Sequence, residues 1–196
     1  MTRRPVVLGL GGSTRPGSSS EAALDIALEA ARTMGAMTRS ITGRGLMLPI
    51  YDTQSPERTA GAIRLVEAVR ECDGLIISAP GYHGSMPGML KNALDYLEDL
   101  RADDRPYLDG LPVGCIAVAH GWQATVSTLN GLRDCVHALR GWPSPYGATI
   151  NGSVVSLGGE HPVDPAVVDQ LALVARQVTD MAGTTINAGT ATQLAG

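Results

Sequence analysis

From Val6 to Glu21 the chain reads VVLGLGGSTRPGSSSE, and the residue types and spacing there suit the holding of a phosphate. An apolar run, Val6–Leu10, opens into glycines, hydroxyls and one arginine, and these lead straight into a helix. The first N–H groups of a helix lack intrahelical acceptors, and the macrodipole adds about half a positive charge at that end. Glycines let the backbone close around an anion, and Ser13, Thr14, Ser18, Ser19 and Ser20 bring further donors. Ser18 and Glu21 have the S-x-x-E spacing of a capping box, which predicts where the helix starts.

The pattern also narrows the phosphate. Gly12 and Gly17 have the spacing of a Walker loop, but Ser18 stands where its lysine belongs. Without that cation the loop does not suit a β/γ-phosphate, which argues against a nucleoside triphosphatase. The dinucleotide pattern G-x-G-x-x-G fits at Gly9 and Gly11 and fails at Thr14. A single terminal phosphate held by serines and Arg15 fits better.

The elements that must position this loop alternate between strand and helix. Strands are expected at Val6–Leu10, Met37–Ile41, Leu75–Ala79, Val113–Ala119 and Ala148–Ile150. Helices are expected at Ala22–Met34, Thr59–Glu71, Pro87–Leu100, Val126–Leu139 and Pro165–Met181. Continuous apolar strands separated by helices predict an α/β fold, with a five-stranded parallel sheet covered on both faces and doubly wound. In such a sheet ligands sit at the carboxyl ends of the strands, beside a topological switch point. Residues 1–184 are expected as one domain, and residues 185–196, small and polar, as a flexible tail.

Composition excludes several classes. The net charge of −4 with no basic cluster argues against nucleic acid, and no apolar run has the length to span a membrane. Cys72, Cys115 and Cys135 are odd in number and lie in apolar contexts, so they read as reduced thiols of a cytoplasmic protein. No metal-ligand spacing and no G-x-S-x-G motif is present. Lys91 and Asp95 have the i,i+4 spacing of a surface ion pair, and Met86 and Met89 read as core or interface contacts.

Three loops converge on the carboxyl edge: Gly11–Ser20, Ala79–Gly88 and Ala119–Gln123. The second, APGYHGSMPG, leaves its backbone donors available and projects Tyr82 and His83. The third, AHGWQ, adds a large flat ring. A phosphate cradle with two flat-walled loops suits a mononucleotide that carries a broad heteroaromatic ring, a description that FMN meets.

Two motifs carry a family resemblance. Gly12-Ser13-Thr14-Arg15-Pro16-Gly17-Ser18 fits G-S-x-R-x-x-S, and Pro80 through Asp95 fits P-x-Y-x-x-x-x-P-G-x-L-K-N-x-x-D. Over residues 5–150 the chain resembles the NADPH-dependent FMN reductase family, whose fold is flavodoxin-like with strand order 2-1-3-4-5. The resemblance implies that Ser13, Arg15, Ser18 and Ser20 hold the FMN phosphate. It further implies that Pro80, Gly81, Tyr82 and His83 flank the isoalloxazine, and that His120, Gly121, Trp122 and Gln123 cover the region after the fourth strand. Three positions depart from the family: Ser20 stands where Asn is frequent, Gly81 where Glu is frequent, and Trp122-Gln123 where many members carry a glycine pair.

The activity implied is hydride transfer from NAD(P)H to FMN N5, with electrons passed on to free flavin, a quinone, an azo compound or oxygen. No side chain of this chain is assigned a catalytic role. The implied partners are a small-molecule acceptor, a flavin-dependent monooxygenase that receives reduced FMN, and further copies of the chain in a homodimer or homotetramer. Helix Pro87–Leu100 and segment Trp142–Tyr146 are the surfaces expected to join copies. Two other readings stay open: a flavodoxin-like electron carrier, against which the modest charge and Arg15 argue, and a family member turned to a biosynthetic redox step. No basic pocket for a 2′-phosphate is legible in the sequence.

Overall fold

A computed structural model describes residues 3–15, 17–157 and 161–194. Pro16 of the first motif and the last two residues of the expected tail lie outside them. The apolar runs form parallel strands β1 (Val6–Gly11), β2 (Met37–Thr42), β3 (Gly74–Pro80) and β4 (Pro112–Ala119), with β5 (Trp142–Pro143) and β6 (Ala148–Asn151) completing the sheet. The order is β2-β1-β3-β4-β5, and β6 also pairs with β4. β5 meets Pro112 and Val113, whereas β6 meets Ile116–Ala119, so the two short strands act as one fifth strand interrupted by residues 144–147. This is the flavodoxin-like order that was expected.

Alternation along each buried strand divides the core into two layers. Leu8, Leu10, Leu75, Ile77, Val113 and Cys115 face one side, where α2 (Ala60–Glu71), α3 (Gly88–Asp95) and α4 (Trp122–Ala138) cover them. Val7, Ile76, Ile116, Val118 and Ile150 face the other, beneath α1 (Ser19–Thr33) and α5 (Pro165–Leu194). The second layer is thin where glycines allow it. A Cβ at Gly114 would lie 2.5 Å from Val174 Cγ1 and one at Gly74 2.7 Å from Val178 Cγ1, so α5 packs directly on the backbone of β3 and β4.

The largest differences from expectation fall at three helix boundaries. The expected helix Pro87–Leu100 stops at Asp95 and tightens into a 3-10 turn over Tyr96–Leu100. There the Tyr96 hydroxyl donates to the Pro49 carbonyl at 3.0 Å. Asn92, from the second motif, accepts from Tyr51 N–H at 2.8 Å and donates to the Pro49 carbonyl at 2.8 Å, fixing the loop after β2. α4 begins at Trp122, four residues ahead of the apolar pattern. α5 runs on to Leu194, so residues 185–194, expected as a flexible tail, have helical backbone. The Thr184 and Thr185 hydroxyls there donate to the carbonyls of Asp180 and Met181, satisfying their polarity within the helix.

Lys91 and Asp95 form the expected ion pair at 2.6 Å. Met86 is buried, and Met89 packs partly buried against the core. Cys72, Cys115 and Cys135 are free thiols. No helix among the described residues is long and apolar enough to cross a membrane.

Candidate functional site

The β1–α1 loop is built from its own hydroxyls. Ser18 caps α1 by accepting from Glu21 N–H at 3.2 Å, as the capping-box spacing predicts. The reciprocal arm is replaced, because Ser18 N–H donates to the Arg15 carbonyl at 3.2 Å. Arg15 N–H donates to Ser13 Oγ at 3.3 Å, and the Ser18 and Ser20 hydroxyl oxygens lie 3.2 Å apart. Ser13, Ser18 and Ser20 are buried. A hydroxyl that accepts from the backbone keeps its own proton to donate, so Ser13 and Ser18 remain available to an anion. The Arg15 guanidinium is exposed and makes no hydrogen bond or ion pair among the described residues.

The ends of β3 and β4 close the other side. Gly12 N–H donates to the Ser78 carbonyl and Gly81 N–H to the Val118 carbonyl, at 2.9 and 2.8 Å. Gly81 leaves no room for a side chain: a Cβ would lie 2.8 Å from Thr128 Oγ1, 3.1 Å from Ala119 Cβ and 3.2 Å from the Ala124 carbonyl. The departure at this position is therefore matched by close packing against α4. Beyond Gly81 the chain makes a two-residue turn, with Tyr82 N–H donating to the Ser85 carbonyl and Ser85 N–H to that of Tyr82. His83 and Gly84 occupy its tip with φ of 50° and 85°, the left-handed pair of a type I′ turn.

These loops enclose a cleft of about 400 Å³, lined by Ser13, Arg15, Ser18, Ser20, Pro80, Gly81, Tyr82 and His120 from the sequence prediction. Ser19, Val118 and Ala119 also line it, though none was among the residues assigned to the site. Ser19 was legible as a hydroxyl of the same loop and Ala119 as the start of the third loop, whereas Val118 read only as strand. The predicted residues His83, Gly121, Trp122 and Gln123 do not line the cleft. His83 is carried off by the turn tip, and Gly121 precedes α4 as its N-cap. Trp122 and Gln123 become the first residues of α4, with the indole 56% exposed, which excludes a core role for it.

The cleft fits the donor chemistry of a phosphorylated, flat-ringed ligand. Buried hydroxyls, the N–H groups of the first turn of α1 and an unpaired guanidinium lie at one end. The exposed Tyr82 ring and the backbone of residues 80–82 and 118–120 lie at the other. No cluster of potential metal ligands occurs among the described residues.

Parallel order 2-1-3-4-5, with this cleft at the carboxyl ends of β1, β3 and β4, defines a flavodoxin-like protein. Comparison with known proteins gives the finer assignment. The family described as NADPH-dependent FMN reductase matches residues 5–154, and the chain belongs to it. Its members are NAD(P)H-dependent FMN oxidoreductases. The chain is 29% identical over 112 residues to an NADPH azoreductase of Bacillus sp. (strain OY1-2), covering 57% of this chain and 60% of that protein. It is 32% identical over 131 residues to an NAD(P)H-dependent FMN reductase of Pseudomonas aeruginosa, covering 65% and 67%. Among solved structures, FerB, a flavoenzyme NAD(P)H:(acceptor) oxidoreductase from Paracoccus denitrificans, superposes with a TM-score of 0.71 at 20% identity. That match covers 92% of this chain and 98% of FerB, and it shows the shared fold.

Proposed function

We infer that this protein is an NAD(P)H-dependent FMN reductase that binds FMN in the cleft between the β1–α1, β3–α3 and β4–α4 loops. The observation that carries this reading is the meeting of Arg15 and the buried serines with Pro80–Tyr82 and His120 around one cleft. Bound FMN supplies the hydride-accepting N5 and the means to pass electrons on.

The chain's own residues bind, orient and shield. Ser13, Ser18 and Ser20 donate to the phosphate, and Arg15 neutralises it from the exposed side. The first-turn N–H groups of Ser19 and Ser20 add the field of the α1 terminus. Pro80, Gly81 and the 118–120 backbone set the plane of the ring, and Gly81 lets the chain approach closely. Tyr82 flanks it. No side chain has to exchange a proton with the nicotinamide, so rate enhancement here comes from holding two rings in register.

The acceptor that receives the electrons is a free flavin, a quinone, an azo compound or oxygen, and a flavin-dependent monooxygenase is the natural consumer of released reduced FMN. A cytoplasmic location fits the use of NAD(P)H and the three unpaired thiols. Further copies of the chain would cover the exposed Tyr82 and Trp122 rings in a homodimer or homotetramer, and a monomer by light scattering would contradict this.

Anaerobic addition of NADPH to the FMN-loaded protein tests the activity. Rapid loss of the oxidised flavin band is expected. A flavin that binds yet stays oxidised with both NADPH and NADH would make the protein an electron carrier and overturn the reading.

A further inference from the structure

Of the described residues that line the cleft, three carry a titratable group: Arg15, Tyr82 and His120. As side-chain types, a guanidinium keeps its proton throughout and a phenol releases its own only in alkali, whereas an imidazole exchanges a proton near neutrality. His120 is thus the one described side chain in the cleft of a type that can give and regain a proton in every turnover.

The fold ties the backbone on both sides of this residue and leaves its ring free. Ala119, immediately before it, ends β4, and the Ala119 carbonyl accepts from Gly152 N–H at 2.9 Å. Immediately after it, Gly121 is the N-cap of α4. The imidazole lies along Gly152, where an added Cβ would come 3.8 Å from Nε2. His120 is exposed, and its ring makes no hydrogen bond or ion pair among the described residues. Neither ring nitrogen is committed to the protein, so one can face a ligand while the other meets water. The described titratable groups that face it are Arg15 from the β1–α1 loop, Tyr82 from the β3–α3 loop and, across an adjoining cleft, His161 from the segment after β6.

The proposed activity has a proton to find. Reduction of a quinone to a hydroquinone, or of an azo bond to a hydrazine, consumes one hydride and one proton. Oxidation of NAD(P)H to NAD(P)+ provides the hydride with both electrons and provides no further proton.

We propose that His120 is the proton donor to the acceptor. Its imidazolium N–H gives the proton to the carbonyl oxygen or azo nitrogen of the acceptor as the hydride arrives. The neutral ring then takes a proton back from water on its exposed side. This rests on the reading of the cleft as the flavin site. It deepens that reading by selecting quinones and azo compounds over acceptors that take electrons alone.

Stopped-flow reoxidation of the reduced, FMN-loaded protein by a water-soluble benzoquinone and by ferricyanide tests the role, because ferricyanide takes electrons and no proton. His120→Gln should lower the ratio of the quinone rate to the ferricyanide rate by about 100-fold, as loss of a general acid does. Added imidazole should restore the ratio in His120→Ala. A ratio that stays at the wild-type value in His120→Gln, or that imidazole fails to restore in His120→Ala, would overturn the proposal. A readout without turnover comes from the imidazole resonances of the four histidines in the wild type, with His120 assigned by its loss in His120→Gln. Reduction of the bound flavin should raise the proton affinity of His120 about tenfold, because the added negative charge lies in the same cleft. A His120 titration indifferent to the redox state of the flavin would also overturn the proposal. Failure of the flavin reading is distinguishable, since the wild type would then bind no FMN in equilibrium titration.

Discussion

The Ser78 hydroxyl donates a 2.7 Å hydrogen bond to the carbonyl of Ser20, joining the buried interior of β3 to the first turn of α1. Ser78 is fully buried, and its carbonyl also accepts from Gly12 N–H. One residue thus braces both limbs of the β1–α1 loop. Ser78→Ala should lower stability by about 1 kcal/mol, the usual net worth of such a bond, because the Ser20 carbonyl loses a partner in a dry place. FMN affinity should fall several-fold while the fold persists. Thermal melting with FMN titration checks this, and unchanged affinity would show that the loop holds its shape without the brace.

Gly81 and Thr128 offer a second test. The Thr128 hydroxyl is buried with no hydrogen-bond partner among the described residues, and it is the atom nearest to a Cβ added at Gly81. Gly81→Ala should cost roughly 1–3 kcal/mol through overpacking and weaken FMN binding. Thr128→Ala alone removes an unpaired polar atom and some volume together, so its effect should be small. Combined, the two changes should cost less than Gly81→Ala alone, since the closest contact is gone. A double-mutant cycle on chemical denaturation measures the coupling. Strict additivity would contradict the packing account.

How much of this was legible in the sequence depended on what each residue had to do. β1, β3 and β4 are buried on both faces, so their unbroken apolar runs marked them directly. The fifth strand reached its full extent only through Trp142 and Pro143, which pair with Pro112 and Val113 and carry no apolar run. The shape of the β1–α1 loop was readable because capping and turn chemistry are local: Ser18 accepts from Glu21 N–H three residues on. The β4–α4 loop was not. Trp122 and Gln123 looked like loop residues beside a ligand, yet the backbone enters the helix at Trp122 with no side-chain cap to announce it. The contact of Gly81 with Thr128 joins residues far apart in sequence, and only the packing of α4 on β3 brings it about.

The thiols give a prediction about pH. Burial pushes the Cys72 thiol up to about 11 and the Cys115 thiol up to about 12, from an ordinary value of 9.0. The folded state therefore keeps these protons where the unfolded chain gives them up. Their contribution to stability is complete below pH 9 and is lost as pH rises from there through about 11 and 12. Melting temperature should fall on that alkaline limb, and Cys115→Val should make the fall shallower. Near pH 8 a thiol reagent should leave Cys72 and Cys115 unmodified in the native protein. Rapid modification of either would contradict their burial.

The most direct measurement of the central claim compares FMN with riboflavin in equilibrium titrations of the wild type and of the Ser13→Ala/Arg15→Ala double variant. A phosphate anchored by charge-assisted bonds predicts that the wild type prefers FMN by about 100-fold or more. The double variant should lose most of that preference while binding riboflavin as before. Equal affinity of the wild type for both flavins, or an FMN preference untouched by the substitutions, would contradict the assignment of the β1–α1 loop as the phosphate site.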